Sequence, residues 1–249
     1  MGAPAGGTSD IVSRMLADGL QKELNRTVIV EPKPGAGGAL AVNDLMQAAH
    51  DGNTVLVAPS ALVSPYRQTA LRRGQGNQAD RRTGACRPGD GASSVMPAKN
   101  LAEVIAYVKA NPGKVSYASY SAGTMSHVMG LHLNKAAGID MKHVGYKGSP
   151  PALADVVGGH VPLMFDGIPT SLPMIKAGRV VPYAVSLPQR SPLLPNVPTF
   201  NELGYPQNEA MVWIGLWLTP NVPAAAQERL CAAALKVMAQ PSEVDRLQA

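Results

Sequence analysis

The sequence predicts an α/β fold, in which helices pack against layers of β-sheet. Three observations support this prediction. Apolar residues with helical spacing alternate with short β-branched runs along most of the chain. The 249 residues are 45% apolar, which is enough to bury a sizeable core. Two cysteines, Cys86 and Cys231, are too few for a disulfide scaffold or a thiolate metal cluster.

The first sixty residues are predicted to form helix, strand, helix and strand in turn. Apolar residues recur every three or four positions over residues 10–24, which predicts a helix with Thr8 or Ser9 as its N-cap. Val28–Val30 is typical of a short buried strand. The other expected elements here are a helix over residues 39–49 and a strand over residues 54–58.

The alternation resumes after Pro97 and continues to residue 238. The predicted helices cover residues 101–111, 126–137, 150–157, 170–177 and 224–238. The predicted strands cover residues 115–117, 143–146, 162–165, 180–185 and 211–218. No repeat of 20 to 50 residues is present, which argues against a solenoid.

Residues 67–96 differ from the rest of the chain. They hold six arginines and two aspartates, so this segment carries +4 of the total net charge of +5. Because the charge is confined to one segment without aromatic residues, nucleic-acid binding is not predicted. The segment has no apolar periodicity, and we expect it to be disordered or loosely held. Codons compatible with residues 71–77 can spell Tyr-Asp-Ala-Val-Lys-Glu when they are read one nucleotide later. Those compatible with residues 87–92 can spell Gly-Pro-Val-Met-Val, a plausible buried strand, so a frameshift is a hypothesis that sequencing of the DNA would test.

Three loops share features of an anion site. Pro4-Ala-Gly-Gly-Thr-Ser-Asp10 leads into the first helix, and Ser119-Tyr-Ser-Ala-Gly-Thr124 lies between a predicted strand and a helix. Ser60-Ala61 follows another strand. Glycines let backbone N–H groups face outward, and a helix N-terminus favours a negative charge. The loops therefore suggest a cleft for a carboxylate or phosphate; ordinary glycine-rich turns remain the alternative.

Enzymatic and cofactor-dependent functions receive less support. Ser121, His127 and Asp166 can be written as a hydrolase triad, although no G-x-S-x-G motif surrounds Ser121. Pro34-Gly-Ala-Gly-Gly-Ala39 fails the dinucleotide pattern because Leu40 occupies the position of the third glycine. The five histidines show no metal-ligand spacing. We therefore expect no cofactor and no metal, and keep a Ser121/His127 hydrolase as the alternative function.

A combined set of motifs resembles the substrate-binding receptors of tripartite tricarboxylate transporters, the Bug or TctC-like family. The resemblance covers nearly everything except residues 67–95. The motifs are Gly2-Ala-Pro-Ala-Gly-Gly-Thr-Ser-Asp-Ile-Val12, Val30-Glu-Pro-Lys-Pro-Gly-Ala-Gly-Gly38, Val144-Gly-Tyr-Lys-Gly-Ser-Pro-Pro-Ala-Leu-Ala-Asp155, Met164-Phe-Asp166 and Leu194-Pro-Asn-Val-Pro-Thr-Phe200.

The resemblance implies a two-domain periplasmic-binding-protein fold of the type II, Venus-flytrap kind. Domain 1 would comprise residues 1–98 and 213–249, and domain 2 residues 99–212. Relatives carry a signal peptide and further elements at both ends, so the architecture is expected to be truncated at both ends here. We expect a truncated chain with an anomalous 67–96 segment to fold poorly. The implied location is the periplasm, although the opening residues, which lack a basic start and an apolar stretch, are not expected to act as a signal peptide.

The resemblance also implies a function without covalent chemistry. The receptor would capture a small carboxylate in the cleft between its domains and deliver it to the membrane subunits of a transporter. Candidate ligands are a di- or tricarboxylate, an amino acid or an aromatic acid, and the chain is expected to be a monomer that binds no nucleic acid. The implied ligand-binding residues are Pro4, Gly6, Gly7, Thr8, Ser9, Ser60, Ala61, Ser121, Ala122, Gly123, Thr124, His127 and Asp166.

Overall fold

The computed structural model describes residues 1–35, 38–59, 83–86, 88–93, 96–209 and 212–240. The chain divides into two units. Unit 1 comprises Met1–Ala85 and Trp213–Ala249, and unit 2 comprises Cys86–Val212. Within the described ranges, none of the helices combines the length and the apolar character that crossing a bilayer requires.

Apart from two strands within residues 83–93, which were not predicted, the described residues form helices and strands in the predicted order. The helices are α1 (Thr8–Leu24), α2 (Ala39–Gln47), α3 (Leu101–Ala110), α4 (Met125–Ala137), α5 (Ser149–Val157), α6 (Ile168–Lys176) and α7 (Ala224–Met238). The strands are β1 (Leu56–Pro59), β2 (Thr83–Cys86), β3 (Pro88–Ser93), β4 (Ser116–Ser119), β5 (Lys142–Gly145), β6 (Leu163–Gly167), β7 (Val180–Val185) and β8 (Val212–Trp217). Apart from Val28–Val30, every predicted element is confirmed to within two residues at either end.

Unit 1 contains a three-stranded sheet and a pair of packed helices. The strand order is β1-β8-β2, and β1 runs antiparallel to β8 from Leu56 opposite Trp217 to Pro59 opposite Ile214. Helices α1 and α7 share a cluster of buried residues made by Leu16, Leu20, Leu230, Ala233, Ala234 and Val237. The two helices approach each other closely because Gly19 has no side chain: a Cβ there would lie 2.3 Å from Val237 Cγ1.

The prediction of a buried strand at Val28–Val30 is wrong. The segment forms no strand, and Ile29 is 73% exposed. A strand requires a hydrogen-bonded neighbour, whereas the Val28 N–H donates to the Gln21 side chain at 3.4 Å. The pattern of β-branched residues indicated an extended backbone, but it could not indicate whether a neighbouring strand exists.

A half-open cavity of about 1020 Å³ is lined by residues of unit 1. One part of its lining is the extended segment 28–31, and another is the chain from residue 53 into β1. Apolar side chains of α1 and α7 also line it, including Leu16, Leu20 and Leu230. The Met1 amino group donates to the Glu31 carbonyl at 2.7 Å, and the Lys33 N–H donates to the Met1 carbonyl at 2.8 Å.

Unit 2 contains a five-stranded mixed sheet in the order β5-β4-β6-β3-β7. Strand β4 runs parallel to β5 and β6, whereas β3 runs antiparallel to β6 and β7.

Strands β2 and β3 fall inside residues 67–96, so the expectation of a disordered or loosely held segment is wrong for those two stretches. Backbone pairing does not require apolar periodicity, and β3 pairs with a strand on each side. Residues 67–82, 87 and 94–95 lie outside the described part of the chain.

Candidate functional site

Three parallel strands of unit 2 end at the same edge of the sheet. Strand β4 leads into α4, β5 into α5 and β6 into α6. Parallel pairing places their carboxyl ends side by side, so the connecting loops and the N-termini of the helices gather there. This edge therefore collects backbone N–H groups that lack partners within the helices.

The loop between β4 and α4 is held by the carbonyl of Ser121. That oxygen accepts from the Ser119 hydroxyl at 3.2 Å and from the Thr124 hydroxyl at 2.5 Å. The Thr124 N–H donates to the same oxygen at 3.3 Å. Ser119 and Thr124 are buried, whereas Ala122 is exposed at the tip of the loop. Hydrogen bonds from two buried residues, Ser119 and Thr124, therefore fix the base of the loop. Its tip at Ala122 is exposed just before the first turn of α4.

His127 lies in the first turn of α4 and closes back onto this loop. The Gly123 N–H donates to His127 Nδ1 at 3.0 Å, and Gly123 has a φ of +75°. That backbone conformation favours glycine. Sequence reasoning placed Ser121, Ala122, Gly123, Thr124 and His127 at one site, and the structure brings these five residues together.

The structure adds His143 to this site, which the sequence analysis missed. The His143 ring stacks on the His127 ring, with 3.9 Å between the ring centroids and 25° between the planes. Its Nε2 is 2.6 Å from the Ser119 Oγ, and its other neighbour is the Tyr117 ring at 5.3 Å. His143 is 16 positions from His127 along the chain. The parallel pairing of β4 with β5, which sets Tyr117 opposite His143, is the signal that could have found it.

Both imidazoles lose basicity in this arrangement. Burial lowers the pKa of His127 below its usual value of 6.5. Burial also lowers the pKa of His143, and repulsion from a charged His127 lowers it further. Desolvation disfavours the charged form of a ring, so both histidines are neutral donors and acceptors at neutral pH.

Asp166 lies at the end of β6 and is 1% exposed. One carboxylate oxygen accepts from the Ser149 hydroxyl at 2.6 Å, and the other accepts from the Ser171 hydroxyl at 2.7 Å. Burial raises the pKa of Asp166, while the bonds from both serines and from the Gly167 backbone N–H act in the opposite direction. The carboxylate therefore joins α5 to α6. A direct contact of Asp166 with a ligand stays a prediction.

The glycine-rich loop in unit 1 is organised by Asp10. The Gly6 N–H donates to Asp10 Oδ2 at 2.8 Å, and Arg14 Nε lies 3.0 Å from Asp10 Oδ1. The predicted N-cap of Thr8 or Ser9 is wrong: Gly7 is the N-cap of α1, and no side chain caps the helix. Glycine is tolerated at that position, and the helix begins two residues earlier than predicted.

Of the remaining candidate site residues, Pro4 lies in this loop and is half-buried, while Ser60 and Ala61 lie outside the described residues.

The hydrogen bonds of Asp166 and His127 differ from those of a Ser121/His127/Asp166 hydrolase triad. In a triad the aspartate orients the histidine, and the histidine accepts the proton of the serine. Here Asp166 accepts from Ser149 and Ser171, and His127 Nδ1 accepts from the Gly123 N–H. Within the described part of the chain, no group of three or more His, Cys, Asp or Glu side chains could hold a metal ion.

A chain with two α/β units and loops at helix N-termini is typical of periplasmic solute-binding proteins. Residues 12–249 match the family of tripartite tricarboxylate transporter receptors, TctC. The chain is 32% identical to a UPF0065 protein from the TAR-I ttuE-ttuC′ intergenic region of Agrobacterium vitis, over 98% of this chain and 71% of the relative. The chain belongs to the TctC receptor family.

Solved structures agree with this assignment. The periplasmic binding protein BugD superimposes with a TM-score of 0.87 at 30% identity, over 99% of this chain and 83% of BugD. MatC from Rhodopseudomonas palustris, solved with bound malate, has a TM-score of 0.87 at 27% identity, over 98% of this chain and 85% of MatC. The predicted periplasmic-binding-protein fold is thereby confirmed.

Proposed function

We propose that this chain is a periplasmic receptor that captures a small carboxylate and delivers it to the membrane subunits of a tripartite tricarboxylate transporter. The observation that supports the proposal best is the loop from Ser121 to Thr124, which presents its tip at the N-terminus of α4 beside His127. A helix N-terminus favours a carboxylate through its backbone N–H groups and its dipole.

A ligand of this chemistry agrees with the charges at the site. Both histidines are neutral, so recognition would rest on N–H donors rather than on a full positive charge. Malate is the ligand in the MatC structure, and we propose a small dicarboxylate of that kind here. The expectation that the ligand lies between the two domains, and contacts the unit 1 loop as well, stays a prediction from the resemblance.

The first experiment is a thermal melt and a calorimetric titration of the purified chain with malate and a panel of other small mono- and dicarboxylates. A ligand that binds only the folded state raises the melting temperature as its concentration rises. We expect a saturable upward shift with at least one acid. A cooperative melt that no acid in the panel shifts would contradict the proposal.

A matched pair of glycine variants tests the location of the site. Gly123→Ala and Gly138→Ala both place a side chain at positive φ, +75° and +62°, at opposite ends of α4. Each change is expected to cost about 1 kcal/mol of unfolding free energy. Only Gly123→Ala should weaken carboxylate binding, because a strained loop moves its N–H groups. Equal affinity in the two variants would place the ligand elsewhere.

A further inference from the structure

We infer that His127 is a neutral ligand donor whose proton is held on Nε2, and that His143 is the positioning residue that keeps it so. This inference rests on the proposed function, since it concerns how the same loop would recognise a carboxylate. It follows from the hydrogen bonds and the stacking of the two rings.

The Gly123 N–H fixes the tautomer of His127. A backbone N–H can only donate, so His127 Nδ1 must offer a lone pair at 3.0 Å. The proton of the neutral ring therefore resides on Nε2. A second proton on Nδ1 would face the Gly123 N–H and break this bond, so protonation and the closed loop exclude each other.

His143 adds a second obstacle to protonation. Its ring covers one face of His127 at a centroid distance of 3.9 Å, and the hydrogen bond with Ser119 Oγ at 2.6 Å fixes its position. Behind His143 the row of rings continues with Tyr117 and then Phe165, at centroid distances of 5.3 and 5.7 Å. Stacking and the bond with Ser119 therefore keep the two rings face to face, so a positive charge on one ring would act directly on the other.

Among the described residues, Tyr117 is the titratable group in ring contact with the pair. Tyr117 from β4 is neutral, because burial raises its pKa to about 12. Burial lowers the pKa of His127, and burial followed by repulsion from His127 lowers the pKa of His143. Each of these causes disfavours an imidazolium.

The consequence is a site that selects by hydrogen-bond geometry. A neutral Nε2–H donates one directional hydrogen bond, whereas an imidazolium would attract any anion at long range. Carboxylate affinity should therefore be independent of pH between about 8 and 7, where neither the acid nor the rings change charge. At lower pH, protonation of Nδ1 would break the bond from the Gly123 N–H and create an imidazolium, so the discrimination between different acids should fall.

The test combines nitrogen NMR of the histidine rings with affinity measurements at several pH values. In the free wild-type chain at pH 7 we expect His127 to show the Nε2–H tautomer. An imidazolium or an Nδ1–H tautomer would overturn the inference. Because this readout needs no ligand, it remains decisive even if no carboxylate binds and the proposed function fails.

Variants separate the two roles. His127→Gln keeps an oxygen that can accept from Gly123 and an amide that can donate, whereas His127→Leu has neither. With malate as the probe, we expect His127→Leu to bind about tenfold or more weakly, and His127→Gln to recover part of the loss. Equal affinity in both variants would overturn the donor role.

The positioning role of His143 is tested with His143→Ala. This variant should leave His127 in place but allow His127 to take up a proton at a higher pH, which an NMR titration of the His127 ring would show. His132→Gln, on the same helix, is the control and should leave the His127 titration unchanged. An unchanged titration in a folded His143→Ala variant would show that His143 does not act through His127.

Discussion

At the scale of single residues, Tyr117 connects the core of unit 2 to the candidate site. Its ring is 0% exposed, and its hydroxyl donates to the His127 carbonyl at 3.1 Å. Gly130 on α4 makes room for it, because a Cβ there would lie 2.1 Å from Tyr117 Cε2. Glycine is unfavourable inside a helix, so its presence in α4 reflects this contact.

Gly130→Ala is therefore expected to destabilise the chain, although alanine is the better helix former. Overpacking a rigid buried ring costs about 1–3 kcal/mol, against a gain of about 0.5–1 kcal/mol from helix propensity. Chemical denaturation measures the balance. The double variant Gly130→Ala/Tyr117→Leu should recover part of the loss, and a net gain in the single variant would contradict the packing argument.

The half-buried histidine pair also predicts how stability changes with pH. The folded-state pKa values of both rings lie below the usual 6.5. As the pH falls through 6.5, the unfolded chain takes up protons first, so the free energy of unfolding decreases. The loss is complete only below the folded-state pKa values.

His143→Phe keeps a ring but removes one titrating group, so its unfolding free energy should fall less steeply between pH 7 and pH 5. His160→Gln, an exposed histidine, gives the reference slope. Denaturant midpoints at each pH provide the measurement. If the unfolding free energy of His143→Phe falls as steeply with decreasing pH as that of the wild-type chain, His143 does not cause the pH dependence of stability.

At the scale of secondary-structure elements, the sequence predicted most of the fold because periodicity is a local property. The long helices α1 and α7 and the buried strands β6 and β7 stood out by their spacing of apolar residues. Pairing is not local: the same reasoning placed a strand at Val28–Val30, where no neighbour exists among the described residues. It also missed His143, whose contact with His127 depends on which strand lies beside β4.

The crossing of α1 and α7 gives a prediction at this scale. Gly19→Ala would bring a methyl group to 2.3 Å from Val237 Cγ1, on a side chain that is 0% exposed. We expect a loss of about 1–3 kcal/mol in unfolding free energy. Val237→Ala in the same chain should compensate partly, which a double-mutant cycle would reveal. Additive losses would mean that the two residues do not limit the approach of the helices.

At the scale of the whole molecule, each unit has a sheet with a strand paired on both sides, β8 in unit 1 and β4 in unit 2. In unit 2 the loops that follow the carboxyl ends of β4, β5 and β6 carry the candidate site. In unit 1 the segment 28–31 and the chain leading into β1 line one cavity. The family assignment could be made from motifs in the loops, whereas this cavity could not, because it depends on chain segments that are distant in sequence.

The extended segment 28–31 beside the cavity of unit 1 affects how the protein behaves at high concentration. Residues 28–30 belong to no strand among the described residues, and an unpaired extended backbone is a template for pairing with another chain. Ile29 adds an exposed apolar side chain. We expect dilute solutions to be monodisperse and concentrated ones to self-associate by pairing through this segment. Ile29→Lys should suppress this in light scattering. Leu131→Lys, which removes an exposed apolar residue from a fully hydrogen-bonded helix, should not.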